Sequence, residues 1–236
     1  MKKSYIITVA IALLLLAEGL DRASAQTLTT LHQFGSTPTD GTQPEAGLVQ
    51  GSDGNFYGTT SEGGNTNLNY GMGDGTVFRI SPSGSFTNLY QFSGSDGSAP
   101  VAALVQGSDG NFCGTTWYGG TNGVGTVFKI TPAGNLTTLY QFGSQIGDGA
   151  NPIAGLAQGS DGCFYGTTSQ GGTNSLGTVF KITRAGSLTT LYQFNGFDGY
   201  YPEAGLVQGS DGNSTERPKQ AGTVLARCLR SPRRAV

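Results

Sequence analysis

The sequence predicts an all-β fold of tandem four-stranded repeats, each about 50 residues long, arranged like a β-propeller. The ring is expected to be incomplete and unclosed, with three full blades plus partial ones. Three observations carry this. The phrase LTTLHQF at 28–34 returns as FTNLYQF at 86–92 and as LTTLYQF at 136–142 and 188–194, with spacings of 58, 50 and 52 residues. Of 236 residues, 40 are glycine and only 12% are charged, a composition suited to short strands and tight turns. Each repeat also contains four strand-like runs separated by turn residues.

Taken in chain order, residues 1–25 read as a secretory signal peptide. Lys2 and Lys3 precede an apolar run from Tyr5 to Ala17, and Ala23-Ser24-Ala25 forms a small-residue cleavage site after Ala25. The run falls short of the roughly 20 residues a transmembrane helix needs. The mature chain is thus expected to begin at Gln26, to carry no transmembrane segment, and to be secreted or displayed at the cell surface.

Residues 26–212 form the repeat domain, with full units at about 47–92, 103–142 and 155–194 and partial ones at 26–34 and 205–212. In the first unit, Leu48-Val49-Gln50 and Asn55-Phe56-Tyr57-Gly58-Thr59 flank Gly51-Ser52-Asp53-Gly54, where Asp-Gly supplies the positive φ of a tight hairpin. In the second, Gly125–Ile130 and Leu136–Phe142 flank Pro132-Ala133-Gly134, again a turn. Strict alternation places Leu136, Tyr140 and Phe142 on one side of the last strand and Leu139 on the other, and opposes Val127 to Phe128 and Ile130. Apolar residues on both faces require a sheet covered on both sides. A β-solenoid is the competing arrangement, but its coils are shorter and need no hairpin per turn.

These phrases support a resemblance. GVGTVFKITPAGNLTTLYQF followed by DGANPIAGLAQGSDGCFYGTTSQGGTN resembles the Gloeo_Verruco repeat of the choice-of-anchor tandem repeat GloVer-containing proteins, over residues 27–212. The resemblance implies a secreted bacterial repeat protein, often held at the cell surface by an interchangeable C-terminal anchor. It implies no catalytic site and no particular ligand.

Residues 213–236 depart from the pattern. After Asn55, Asn111 and Cys163 the earlier units continue Phe-Tyr-Gly-Thr-Thr or, in the second, Phe-Cys-Gly-Thr-Thr, whereas Asn213 is followed by Ser214-Thr215-Glu216-Arg217-Pro218. Deleting the first base of TTC TAC GGA ACG ACC produces codons for Ser-Thr-Glu-Arg-Pro. The same shift applied to Ala221 through Ala235, with the first base of each codon free, permits the third strand and turn of a unit. Residues 26–212 hold 12 acidic and 4 basic side chains, net −8, while 213–236 hold 1 acidic and 6 basic, net +5. The tail is therefore read as frameshifted, basic and disordered, with no nucleic-acid role, since it lacks the interleaved aromatics of a nucleic-acid patch. The array is expected to stop before closure, with Gln26 to Phe34 as the fourth strand of a unit whose first three are missing. Unpaired blade edges are then expected to favour self-association.

If a binding face exists, propeller topology places it on the rim shared by the second-to-third-strand loops and the inter-blade loops, the two variable sets. The first set includes SEGGNTNLNYGMGD at 61–74, WYGGTNGV at 117–124 and SQGGTNSL at 169–176. The second carries Asp-Gly-x-x-Pro at Asp40, Asp96, Asp148 and Asp198. These aspartates, with Tyr70, Trp117, Tyr118, Tyr200 and Tyr201, are the candidate ligand-binding residues, for a protein or a carbohydrate. Asp-Gly is first a turn signal, however, and the aromatics serve equally as loop anchors.

No metal site, cofactor or catalytic group is predicted. Asp53, Asp109, Asp161 and Asp211 place one carboxylate per hairpin turn, too few for calcium. His32 stands where other units have Tyr90, Tyr140 and Tyr192, with no nucleophile in context. Cys113 and Cys163 occupy different repeat positions and Cys228 lies in the tail, so free thiols are expected. The favoured function is a non-enzymatic, secreted or surface binding scaffold. The alternatives are a propeller carbohydrate-active enzyme using Glu45 and Glu203 as acid and base, and a non-functional fragment of a longer repeat protein.

Overall fold

Runs of Thr, Val, Phe and Ile between glycine turns fold into three antiparallel four-stranded sheets in the computed structural model, which describes residues 5–6, 27–37, 39–65, 67, 71–208 and 214–215. The residues read above as a signal peptide, other than Tyr5–Ile6, together with Tyr70, Asp211, Cys228 and the tail other than Ser214–Thr215, lie outside the described residues. Blade 1 consists of Val49–Gln50, Phe56–Thr60, Thr76–Ile80 and Phe86–Gln91. Blade 2 consists of Val105–Gln106, Phe112–Thr116, Thr126–Ile130 and Leu136–Gln141. Blade 3 consists of Ala157–Gln158, Phe164–Thr168, Thr178–Ile182 and Leu188–Gln193. In each, spatial order follows chain order, so every blade is a simple meander.

The hairpin between the first two strands turns on Gly54, Gly110 and Gly162, with φ of 80°, 80° and 76°, a conformation that disfavours any side chain. The second strand needs glycine for another reason. A Cβ on Gly114 would lie 2.6 Å from the Phe128 ring and 2.8 Å from Leu104, so this position brings backbone and neighbouring side chains into direct contact.

One face assignment read from strict alternation is corrected. Val127 pairs with Tyr140 but Phe128 pairs with Thr138, leaving Leu139 as an extra bulged residue. The same bulge recurs at the corresponding point of blades 1 and 3. An inserted residue reverses the facing of everything beyond it. Leu136 therefore packs with Phe128 and Ile130 toward blade 1, while Leu139, Tyr140 and Phe142 pack with Val127 toward blade 3.

The cores lie between blades, not within them. Tyr57, Val77 and Phe92 of blade 1 meet Leu104, Phe112 and Phe128 of blade 2. Tyr57 and Phe112 stack at 4.0 Å between ring centroids, and both are 0% exposed. Cys113, Val127 and Phe142 of blade 2 meet Phe164, Phe180 and Ile182 of blade 3 in the same way. Burying each such aromatic is worth roughly 1.5–3 kcal/mol. Each blade thus has an incoming face, seated on its predecessor, and an outgoing face that receives its successor. Buried hydroxyls tie the blades further: Thr59 donates to the Ala102 carbonyl at 3.2 Å, Thr115 to Ala154 at 3.3 Å and Thr167 to Ala204 at 3.3 Å.

Both ends of the array carry two-stranded pieces. Gln33–Phe34 pairs with Tyr5–Ile6, and Phe34 packs on Phe78 of blade 1. At the other end Val207–Gln208 pairs with Ser214–Thr215, and Leu206 packs against Val179 and Phe194 of blade 3.

Candidate functional site

The two rims of the array are built differently. On one, the hairpin turns repeat almost without change. The carboxylates of Asp53, Asp109 and Asp161 accept the backbone N–H two residues on, at 3.1, 3.2 and 3.0 Å. Gln106 of blade 2 accepts the Ser52 N–H of blade 1 at 3.0 Å, and Gln158 of blade 3 accepts that of Ser108 at 3.2 Å. Tyr57 and Tyr165 donate their phenols to Asp53 and Asp161 at 2.8 Å. Burial, followed by the Asp53 carboxylate, pushes the Tyr57 phenol up to about 12. Burial opposes ionisation of Asp161, but Lys181 at 2.7 Å and the Tyr165 hydroxyl outweigh it and hold the carboxyl down at about 2. These carboxylates are fully occupied as turn locks.

The opposite rim brings together the two variable loop sets. Gly41–Thr42 pairs with Glu62–Gly63, Gly149–Ala150 pairs with Gln170–Gly171, and Ser98 bridges to Tyr118 at the same place in blade 2. One residue in each Asp-Gly-x-x-Pro segment holds the frame. Gln43, Ala99, Asn151 and Tyr201 precede the proline with φ of 60°, 54°, 57° and 50°, in the left-handed region uncommon for non-glycine residues. The Ala99 N–H donates to the Asp74 carbonyl of blade 1 at 3.0 Å, and its carbonyl accepts the Trp117 N–H of blade 2 at 3.0 Å. Asn151 makes the same pair of bonds with Val124 and Ser169, at 2.8 and 3.1 Å. Nothing in the sequence marks these residues as strained. The phrase Asp-Gly-x-x-Pro announces a turn but not the backbone clamp inside it.

Each predicted aspartate has an internal partner. Tyr90 bonds to Asp96, Tyr140 to Asp148 at 2.9 Å, and Tyr192 to Asp198. His32 takes the tyrosine role, with Nε2 at 3.2 Å from the Asp40 carboxylate and its ring stacked on Phe86 at 3.8 Å. Asp96 and Asp198 also accept the N–H of Ser93 at 2.9 Å and of Asn195 at 3.0 Å, and Asp40 and Asp148 are buried. Burial, followed by the Asp96 bond, raises the Tyr90 phenol to about 12. The aspartates thus pin each inter-blade loop to the strand before it. A further carboxylate, Asp74, is buried where blades 2 and 3 have Val124 and Leu176, and accepts the Ser98 hydroxyl at 2.7 Å.

Of the predicted aromatics among the described residues, Tyr118 and Tyr201 are exposed, while Trp117 and Tyr200 are half-buried. The Trp117 and Tyr118 rings stack at 4.5 Å and 20°, and Tyr118 is 44% exposed. They stand where blades 1 and 3 have Ser61-Glu62 and Ser169-Gln170, two serines that are buried. Tyr200 and Tyr201 meet edge to face at 5.3 Å, with Tyr201 44% exposed, two loops away. Glu45 is exposed and Glu203 half-buried, on the lead-ins to blade 1 and to the partial fourth blade, with Val101 and Ile153 at the corresponding positions between them. Among the described residues, no group of three or more His, Cys, Asp or Glu is placed to hold a metal ion. The Cys113 and Cys163 thiols are free, and burial, then the nearby aspartate, raises both, Cys113 to about 12. Among the described residues, no helix is long and apolar enough to cross a membrane.

Stacked four-stranded blades with cores between them define a propeller-like repeat protein. Streptogramin B lyase shares the fold at 19% identity and a TM-score of 0.50, over 77% of this chain and 49% of its own. XC5397 from Xanthomonas campestris, a gluconolactonase, does so at 15% identity and 0.50, over 81% and 59%. The extracellular domain of a candidate one-component system from B. thetaiotaomicron matches at 12% and 0.52, over 81% of this chain and 22% of that one. The chain therefore spans about half the length of streptogramin B lyase. No curated protein matches it. The Gloeobacter/Verrucomicrobia repeat profile matches residues 20–222, and the chain belongs to that family.

Proposed function

We propose that this chain is a secreted or cell-surface binding scaffold, without catalysis of its own, that takes a protein or carbohydrate ligand on the variable rim. The observation that supports this best is the stack of half-buried Trp117 on exposed Tyr118, set into a backbone frame that each blade repeats. Semi-rigid, partly exposed Trp and Tyr are the side chains that most often anchor recognition. The rim aspartates hold that frame in place, and the aromatics are what vary upon it. A glycoside hydrolase would need two carboxyl groups about 5–10 Å apart. Glu45 and Glu203 sit on lead-ins three repeats apart, with the corresponding positions between them apolar, which favours binding over hydrolysis.

The test is a glycan array read with a turnover assay on the same sugars and on lactones. Binding is expected without product, and Trp117→Ala should weaken it about tenfold, or roughly 1.4 kcal/mol. Hydrolysis that disappears in Glu45→Gln or Glu203→Gln would replace this reading with the enzymatic one.

A further inference from the structure

The large apolar side chains that stand in water are not spread evenly over the molecule. Among the described residues, Met72, Tyr118, Ile146, Phe197 and Tyr201 are exposed on the variable rim, and none is exposed in a turn of the hairpin rim. Two of them stand out furthest. Ile146, 106% exposed, is in the loop entering blade 3, and Phe197, 99% exposed, is in the loop leaving it, so the pair brackets one blade. Neither is a residue of the backbone clamp, and neither packs in a core.

Closed turns hold both side chains out. The Phe197 N–H donates to the Asn195 side-chain carbonyl at 3.0 Å, the Gly196 N–H to the Gly199 carbonyl at 3.3 Å, and the Asp198 carboxylate accepts the Asn195 N–H at 3.0 Å. At Ile146 the Asp148 N–H closes the turn on the Gln145 carbonyl at 3.2 Å. The exposure belongs to the loop position itself. Ser95, the counterpart of Phe197 in the loop before blade 2, is exposed although a whole blade follows it, and Ile146 has a whole blade on either side. Nor does the turn require an apolar residue, since Ser95 sits in the same turn, with the Ser93 N–H on Asp96 at 2.9 Å. An apolar side chain fixed in water by a closed turn has little freedom left to lose on contact, which is the property of a preorganised anchor.

The charge of the rim limits what such anchors can meet. The loop segments 35–47, 61–75, 92–104, 117–125, 142–156, 169–177 and 194–206 contain eight Asp and Glu and no Lys or Arg. The four basic residues of 26–212 lie elsewhere: Arg79, Lys129 and Lys181 at the hairpin-rim ends of third strands, and Arg184 in the turn after one. A field of one sign draws in cationic partners, repels an anionic lipid surface and does nothing for a neutral sugar. Ile146 also offers no ring for a sugar to stack on. A second copy of this chain fits poorly, because its cations lie on the hairpin rim, where Lys181 is already paired with Asp161 at 2.7 Å.

We propose that the rim over blade 3 docks a cationic amphipathic segment of another protein, with Ile146 and Phe197 entering its apolar side and the rim carboxylates facing its Lys and Arg residues. This contact extends the binding reading of the rim. It uses the loops around blade 3 and not the Trp117–Tyr118 loop of blade 2, so a sugar on that stack and a peptide over blade 3 are separate events.

Fluorescence anisotropy on the full-length chain tests this with a labelled leucine–lysine amphipathic peptide, its leucine–glutamate counterpart and a serine–lysine peptide of equal charge. The leucine–lysine peptide should bind at micromolar concentration and more weakly as salt rises, and the two controls should bind far less. Phe197→Ser and Ile146→Ser should each weaken binding about tenfold or more. Their urea unfolding should be unchanged, because both side chains are already in water, and glycan binding should be retained. No binding of the leucine–lysine peptide overturns the proposal, as does equal binding by either control or by both variants. Glycan binding without peptide binding sinks this contact alone, and turnover lost in Glu45→Gln or Glu203→Gln sinks the scaffold reading alone. Binding to phosphatidylcholine vesicles that is lost in Phe197→Ser would assign the tips to a lipid surface, and self-association lost in Phe197→Ser would assign them to a second copy; either result replaces the peptide.

Discussion

The outgoing faces of blades 1 and 3 have almost the same residues and differ in what lies against them. On blade 1, Tyr57, Val77 and Phe92 are 0% exposed beneath the second blade. On blade 3, Tyr165 is half-buried, Val179 is 4% and Phe194 7% exposed, and Leu191 stands out at 38% where Leu89 is half-buried. The residues that make a blade's core are therefore supplied jointly with its neighbour. Repeat proteins have this property in general, their stability being a sum of unit and interface contributions.

The comparison breaks most sharply at the aromatic centre of the first interface. Phe112→Ala should cost about 3–5 kcal/mol in urea unfolding, as expected for a fully buried ring, whereas Phe194→Ala on the open face should cost roughly half as much or less. Equal losses would mean that the third blade's outgoing face is as well covered in solution as the first blade's. Next in size is the hydroxyl ladder. Thr116 bonds Thr126 at 2.9 Å and the Tyr118 carbonyl at 2.9 Å in a fully buried site. Thr116→Val should cost about 1–3 kcal/mol by orphaning its partners, and it should also loosen the Trp117–Tyr118 loop, visible as faster amide exchange there.

The smallest effect separates the hairpin rims. With Asp161 held down at about 2 and an unfolded value near 3.9, its ion pair with Lys181 contributes stability that is present above pH 4 and lost as pH falls from about 4 to about 2. Asp161 is partly exposed, so the loss should be a small fraction of the total. Lys181→Met should move the Asp161 titration upward by NMR and flatten the acid limb of the stability curve. An unchanged titration would show that Tyr165 and the turn N–H hold the carboxylate alone.

Much of this was readable in the residues. The period, the four strands per unit, the Asp-Gly hairpins and the rim shared by two loop sets follow from local turn chemistry, which acts within a few residues. His32 as a stand-in for tyrosine was readable too, because repetition supplies its comparison. The facing of the fourth strand was not, because a bulge at Leu139 leaves no mark in an alternation pattern. Nor was the use of the rim aspartates, since only the fold brings Tyr140 to Asp148 across a loop. Asp74 was likewise missed, because its serine partner lies 24 residues away.

By itself, then, the sequence determined the unit: its length, its turns, its strands and its family. Those depend on backbone preferences and on apolar spacing that each repeat carries whole. Tertiary structure alone decided which surfaces are satisfied. Burial is a property of two surfaces in contact, and Tyr57 and Tyr165 differ because, among the described residues, Tyr57 packs beneath Leu104 and Phe112 of the next blade while Tyr165 meets only Leu206 beyond its own blade.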